Sequence, residues 1–282
     1  MMRLHVAYQT TPGPWGGNNS FIRALDKELG TRPVRLAAGP EGADVVLLTG
    51  AYSGPGRLTD LKTVISLKRW GRSSTLSRLL RGAAKPPKLI LRLDGLRADY
   101  AGIDTPMDAA QLALLPLADH VVFQSRYSLE AFRRAGYTGD RHDVIPNGVD
   151  ASVFHARGRA RWDGGRPLRV LASSWSANPA KGHETIAAFS ELPGVETTFI
   201  GRWAPGVPTG KVRLLPPMAH DELAARYREA DAFLFPGRNE ACPNAVLEAL
   251  ASGLPVWYAA SGGTRELAEG FGVELTGDHD AD

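Results

Sequence analysis

The sequence predicts an α/β protein of two doubly wound lobes, each a parallel sheet covered by helices, facing one another across a cleft. Three observations lead there. The chain has 282 residues, long for a single core and suited to two compact domains. Short β-branched runs alternate with stretches of helical period almost from end to end, the pattern of parallel sheets with helical crossovers. One stretch, "HARGRARWDGGRP" from His155 to Pro167, loses all periodicity and fills with Gly, Arg and Pro, which marks a linker. The boundary therefore falls between domains 1–155 and 156–282.

In the first lobe, Leu4–Tyr8, Asp44–Leu48, Leu89–Leu93, His120–Phe123 and Asp143–Ile145 read as strands. The helix Asn19–Leu29 carries Phe21, Ile22, Leu25 and Leu29 on one face and stops at Gly30, where a glycine closes a helix most easily. Met107–Ala118 and Ser125–Ala135 follow, the second opened by a capping serine and ended by Gly136. In the second lobe, strands at Leu168–Ser173, Thr197–Ile200, Val212–Leu215, Ala232–Phe235 and Val256–Tyr258 alternate with helices. These are His183–Ser190, Asp221–Glu229, Asn244–Ala251 and Gly263–Ala268. Such sheets take ligands at the carboxyl ends of their strands.

Composition excludes several classes. With 43% apolar and 22% charged residues the chain is globular, and no apolar run approaches the roughly 18 residues of a membrane span. Met1 to Pro14 holds only Leu4–Tyr8 as an apolar patch, shorter than a signal peptide needs. The single cysteine, Cys242, allows no internal disulfide, so the expected compartment is the cytosol. Net charge is only +3, but it gathers between Asp60 and Lys88. There Lys62, Lys68, Arg69, Arg72, Arg78, Arg81, Lys85 and Lys88 interleave with Leu61, Val64, Ile65, Leu67, Trp70, Leu76, Leu79 and Leu80. A basic amphipathic helix pair of this kind is either a solvated face over a buried stripe or a peripheral contact with an anionic membrane across residues 60–88. No zinc, helix-turn-helix or aromatic RNA-binding motif accompanies it, so nucleic acid is not an expected partner.

The chemistry concentrates in "RNEACPNAVLEALASGLPV", Arg238 to Val256. The helix from Asn244 follows a strand and a loop, so its N-terminus points into the cleft. Its first amide hydrogens are unpaired by geometry and form a seat for a phosphate or diphosphate. Glu248, about one turn inside, can accept hydrogen bonds from a sugar diol, with Glu240 across the anion and nearer the reacting sugar. The alternative on the same residues is a capped helix with a surface acid.

These residues reach a known pattern. Glu240 and Glu248, followed by "EALASGLPV" and then by Gly262 and Gly263, resemble the signature of retaining nucleotide-sugar glycosyltransferases of family 4, which have the GT-B fold of two Rossmann-like domains. "VIPNGVD" (Val144–Asp150) looks like the family's link between lobes, and "NPAKGHETIAAF" (Asn178–Phe189) like its lysine-bearing phosphate segment. "GPWGGNNSF" (Gly13–Phe21) is similar to the glycine loop under the donor.

The resemblance implies a nucleotide-diphosphate sugar as donor and a hydroxyl of a glycan, lipid-linked or small-molecule acceptor as its partner, with no cofactor and no metal. Lys181 with Asn244 and Ala245 at the helix start would hold the diphosphate, where a cation and an oriented dipole stabilise the leaving group. Glu248 would bind the ribose, Glu240 the sugar hydroxyls. Gly16 and Gly17 would bring backbone close to the phosphates, which only residues without a Cβ permit. Asp94, in "LRLDGL", is either an acceptor or donor-sugar contact or a turn residue; His120 is either such a contact or a satisfied core or edge histidine. His183 is expected as a cap or surface residue, and Cys242 as a residue small enough for a tight loop.

The mechanism implied is front-side displacement, the departing phosphate oxygen helping to take the acceptor's proton, so no nucleophile triad is required. Three departures stand out. Ser174, Trp175 and Ser176 fill the stretch where relatives carry an arginine, so Arg202 or Arg238 must meet the diphosphate charge. After Val273–Leu275 relatives continue with helices that clasp the first lobe, so either the clasp is absent or the sequence is a shortened one. Residues 60–88 match nothing specific.

Competing readings are weaker. Eight residues along a helix rise about 12 Å, more than the roughly 5 to 9.5 Å between glycosidase carboxylates. Asp278 and Asp280 lie in an acidic tail and make a poor metal motif. A GT-B-shaped nucleotide-sugar epimerase, or a nucleotide-binding module without turnover, would use the same seat.

Overall fold

The computed structural model describes residues 1–8, 10, 16–50, 53–54, 57–58, 61–70, 86–101 and 105–276. They form two α/β units.

The first unit is built on β1 (Met2–Val6), β2 (Val34–Leu36), β3 (Val45–Thr49), β6 (Lys88–Leu93), β7 (His120–Phe123) and β8 (His142–Val144); β4 (Ser53–Gly54) and β5 (Arg57–Leu58) pair separately as a short antiparallel ribbon. The six-stranded sheet runs β2-β1-β3-β6-β7-β8, all parallel. Parallel strands are buried on both faces, which is why "LILRL" and "VVLLT" are nearly continuous in apolar residues. Leu89, Leu91, Leu93, Phe123 and Phe132 lie fully inside. Arg92 is the exception: its guanidinium sits 3.7 Å from the Phe21 ring centroid and reaches Asn18 Oδ1 at 3.4 Å. The helices span Gly16–Leu29, Leu61–Trp70, Arg97–Ala101, Pro106–Leu114 and Arg126–Arg134, the last capped by Ser125, whose hydroxyl accepts from the Ser128 amide at 3.0 Å.

The second unit holds β9 (Leu168–Ser174), β10 (Val195–Gly201), β11 (Arg213–Leu215), β12 (Ala232–Phe235), β13 (Val256–Tyr258) and β14 (Gly272–Glu274). Their order, β11-β10-β9-β12-β13-β14, is again all parallel. Strand order reverses between β9 and β12, and the crevice beyond that switch point is where such sheets hold ligands. Helices His183–Ser190, His220–Glu229, Asn244–Ala251 and Thr264–Ala268 complete the unit. Tyr227, Phe233, Val246, Ala249 and Val256 are completely buried in its core.

The division between units falls between Pro146 and Asn147, with Gly16 and Gly17 grouped in the second unit, instead of after residue 155. The reason is packing. Phe154 is buried edge-on against Tyr227, at 5.7 Å between ring centroids. The stretch expected as a linker is pinned as well: Arg159 donates to the carbonyls of Gly253 and Asp231 at 2.8 and 2.9 Å, and Arg166 clasps Asp231 with both nitrogens at 2.6 and 2.8 Å. Burial pushes the Asp231 carboxyl up, but the Arg166 and Arg169 donors outweigh it and leave it below the usual carboxylate range. Loss of periodicity therefore marked irregular structure within the second unit, not a linker.

The strand Val34–Leu36 had no signal beyond its three residues. In the basic stretch Leu61–Trp70 is helical, with Val64 and Leu67 buried, and Lys68 and Lys88 both bond Asp119. Residues 71–85, with most of the remaining basic side chains, lie outside the described residues, as do Gly13–Trp15, Asp278 and Asp280. Among the described residues no helix is long and apolar enough to cross a membrane.

Phe123 touches Phe132 and Tyr137 at 5.5 and 5.4 Å between ring centroids. Phe123→Ala is expected to cost about 3–5 kcal/mol, read as a lower urea midpoint for the first unit; an unchanged midpoint would mean the core is not closed around this ring.

Candidate functional site

β12 ends at Phe235 and the loop to the next helix, Pro236–Pro243, carries Glu240. The helix then starts at Asn244 without a side-chain cap: the N-cap position is Pro243, which has nothing to offer the first amides. Val246 and Leu247 amides reach back to the Pro243 carbonyl at 3.1 and 3.4 Å. The amides of Asn244 and Ala245 are the first two of the helix, at its positive end. No side chain caps this helix start.

Neighbouring loops hold this end in place. Asn147 donates through Nδ2 to Asn244 Oδ1 at 2.8 Å and to the Cys242 carbonyl at 3.2 Å, and its amide meets Cys242 Sγ at 3.3 Å. Gly17 comes close to Asn244: a Cβ at that position would stand 3.3 Å from Asn244 Nδ2. Cys242, buried, acts as the small residue expected in a tight loop.

Glu240 is fixed through its own backbone. The Gly263 amide donates to the Glu240 carbonyl at 2.7 Å. Gly262 has φ of +65°, and a Cβ there would lie 2.5 Å from the Glu240 oxygen and 2.7 Å from its nitrogen. Glycine is required at that position on both counts. Asn239, just before, takes a left-handed φ of 56° and is held by Ser261, whose hydroxyl accepts from the Asn239 amide at 3.0 Å and donates to Oδ1 at 2.9 Å.

Lys181 closes a short 3-10 turn, Pro179–Lys181, that opens at Asn178, whose Oδ1 accepts from the Ala180 amide at 2.9 Å. The Arg238 amide donates to the Ala180 carbonyl at 3.0 Å, tying this turn to the Glu240 loop. Lys181 Nζ then pairs with Glu240 Oε1, both side chains only 16% exposed. A cation from the β9 side and a carboxylate from the β12 side thus meet across the switch point.

Glu248 faces inward from the helix. The Tyr227 hydroxyl, fully buried, lies 3.3 Å from Glu248 Oε2, 3.2 Å from the Ala245 carbonyl and 3.2 Å from Ser173 Oγ. Burial pushes the Glu248 carboxyl up to about 7, against the pull of the Tyr227 donor; burial also raises the Tyr227 phenol well above its ordinary value.

The other expected residues divide. Arg202 is exposed and its guanidinium stacks 4.3 Å from the Trp175 ring centroid, so the tryptophan that stands near the missing arginine carries one from β10 instead. Asp94 ends β6 in the first unit, and its carbonyl accepts from the Ser128 hydroxyl. His120 begins β7, an internal strand, and pairs with Asp143 at 2.9 Å, a satisfied histidine. His183 is not a cap or surface residue: it is 1% exposed, wedged between Phe199 and Trp203 at 5.3 and 5.0 Å, and its Nε2 is 3.2 Å from the Arg202 carbonyl. Burial lowers its pKa, so it is a neutral strut under Arg202.

Asn147, Tyr227 and Trp175 were not identified as site residues from the sequence. Only the position of Tyr227 on the buried face of its helix could have signalled it. Among the described residues no group of three or more His, Cys, Asp or Glu is placed to hold a metal ion.

Two Rossmann-like units with this strand order define the GT-B glycosyltransferase fold. The chain is similar to sucrose-phosphate synthase from Thermosynechococcus elongatus, with a TM-score of 0.67 at 18% identity over 99% of this chain and 86% of that one. It is similar also to Anabaena HepE in complex with UDP and glucose, with a TM-score of 0.65 at 16% identity over 98% and 86%. At such identities the likeness is one of fold. Residues 194–281 match the family described as glycosyl transferases group 1, a stretch that includes Arg202, Glu240, Asn244 and Glu248. In sequence the chain is similar to D-inositol 3-phosphate glycosyltransferase of Mycobacterium tuberculosis (strain ATCC 25618 / H37Rv), 35% identical over an alignment of 143 residues that covers 44% of this chain and 30% of that one. The chain covers 30% of the length of the curated relatives it matches.

Gly262→Ala should displace the Glu240 backbone and cut transfer strongly while the chain remains folded, as judged by circular dichroism and turnover of nucleotide sugar; full turnover would remove Glu240 from the site.

Proposed function

We propose that the chain is a retaining, metal-independent glycosyltransferase that moves a sugar from a nucleotide-diphosphate sugar to a hydroxyl acceptor. The observation that carries this reading is the Lys181–Glu240 pair at the switch point of a unit whose Asn244 helix begins uncapped. The diphosphate takes the helix amides and Lys181; Glu240, released from the lysine, turns to the sugar hydroxyls. Glu248 receives the ribose diol, and Arg202 on its tryptophan platform adds charge for the phosphates.

In the reaction the bond from the sugar's anomeric carbon to the diphosphate oxygen breaks and one to the acceptor oxygen forms on the same face. The acceptor's proton passes to the departing phosphate oxygen. Growing negative charge on that oxygen is met by Lys181 and the helix dipole, the form of stabilisation that works best away from water. The donor is substrate, and no resident cofactor is needed. The HepE neighbour holds UDP and glucose, which supports uridine as the first base to test. Asp94, at the carboxyl end of the first sheet, is assigned to the acceptor side. We place the protein in the cytosol, with basic residues of 60–88 that Asp119 does not neutralise as a contact for an anionic membrane.

Lys181→Ala is expected to lower kcat about 10²–10³-fold at saturating UDP-glucose; an unaltered kcat contradicts the assignment. Glu240→Gln frees Lys181, so UDP should bind more tightly by calorimetry while transfer slows. Weaker UDP binding in that variant would mean the lysine does not face the diphosphate. Donor consumed equally well without acceptor would reassign the protein as an epimerase.

A further inference from the structure

We propose that Tyr227 is a positioning residue for the nucleotide: its hydroxyl, set between Ser173 and the Ala245 carbonyl, holds Oε2 of Glu248 and leaves Oε1 to receive the ribose hydroxyls. This deepens the functional reading above and rests on it.

The geometry is that of a relay. Ser173 Oγ, at the end of β9, lies 3.2 Å from the Tyr227 oxygen; that oxygen lies 3.3 Å from Glu248 Oε2. The Tyr227 ring is locked by Phe154 at 5.7 Å and Phe233 at 5.3 Å, so its hydroxyl has one place to be. Glu248 Oε1 has no hydrogen bond among the described residues. A carboxylate with one oxygen held from within and the other left over is oriented before the ligand arrives, and less ordering is left for binding to provide.

Among the described residues, the elements packed around Glu248 give it no other ionic help. On the His220–Glu229 helix Arg226 pairs with Glu229 at 2.8 Å and Arg228 donates to the Val153 carbonyl, while Asp221 and Glu222 are exposed and His220 stacks on Phe154. Arg265 on the Thr264–Ala268 helix turns to Glu274 at 3.9 Å, and Glu266 is exposed. β12 has no titratable residue; β13 offers Tyr258, raised by burial and then by Glu274 and Glu269. Lys181 and Glu240 occupy each other.

Tyr227 is thus the polar group that favours the ionised form of a carboxyl which burial pushes up to about 7. The sign follows. Ribose hydroxyls bind an ionised carboxylate more strongly than a neutral acid, so affinity rises as pH climbs through that value. Removing the Tyr227 donor raises the carboxyl further and moves this rise to higher pH.

The test measures calorimetric affinity for UDP-glucose, GDP-mannose and ADP-glucose from pH 6 to 9; their diphosphate diesters have no proton to lose there. Alongside, the ¹³C carboxyl resonance of Glu248 is titrated in the ligand-free chain and identified by its loss in Glu248→Gln. For Tyr227→Phe, which keeps the ring, the carboxyl midpoint should move up by about one pH unit. Donor affinity should fall several-fold near pH 7 and recover toward the parent value at pH 9, with KM affected far more than kcat. Ser173→Ala should shift the same midpoint in the same direction by less, and serves if the tyrosine variant fails to fold. An unmoved midpoint, or an affinity loss equal at every pH, overturns the role of Tyr227. Unchanged affinity in Glu248→Gln, or no binding of any of the three sugars, strikes instead at the ribose reading on which it rests.

Discussion

A helix that begins with proline at its cap position leaves its leading amides for something other than its own chain. That constraint shapes the second unit. Pro243 supplies no side-chain acceptor, and a burial-prone polar end of this kind is tolerated only where solvent or a ligand completes it. Asn147 grips Asn244 and the Cys242 carbonyl, Gly263 grips Glu240, and the Ala180 carbonyl takes the Arg238 amide. These hydrogen bonds hold the loop and the side chain of the first helical residue.

The two carboxylates of the signature owe their different roles to different surroundings. Glu240 has a lysine for a partner and stands at the loop; Glu248 meets a tyrosine hydroxyl and sits in the helix's inner face, where burial disfavours its charge. Two acids with diverging environments commonly carry divided functions in one site. In the function proposed here, Glu240 exchanges its lysine for sugar hydroxyls when an anion arrives, and Glu248, fixed by Tyr227, receives hydroxyl donors.

Much of this was legible in the sequence for physical reasons. Parallel strands buried on both faces announce themselves as apolar runs, so β6, β7, β9, β12 and β13 were placed to within a residue or so, whereas β2, three residues on an edge with Leu36 half exposed, carries no pattern to read. The Arg- and Gly-rich stretch after His155 looked like a linker because periodicity reports burial of apolar side chains and is blind to arginines that anchor by hydrogen bonds to Gly253 and Asp231. Of the expected site residues, Glu240, Asn244 and Glu248 could be picked out from their places around a helix start, and Lys181 only through the family resemblance. The side chains that orient them could not: Tyr227 reads as one more core aromatic, Asn147 as a loop residue, and His183 as a surface residue, because what each does depends on a partner far away in the chain.

The account stands on where a diphosphate comes to rest. The most direct measurement is a crystal structure of the chain soaked with UDP. It should place the β-phosphate against the Asn244 and Ala245 amides, with Lys181 Nζ turned from Glu240 onto a phosphate oxygen. Density for UDP away from this helix start, with Lys181 still bound to Glu240, would contradict it.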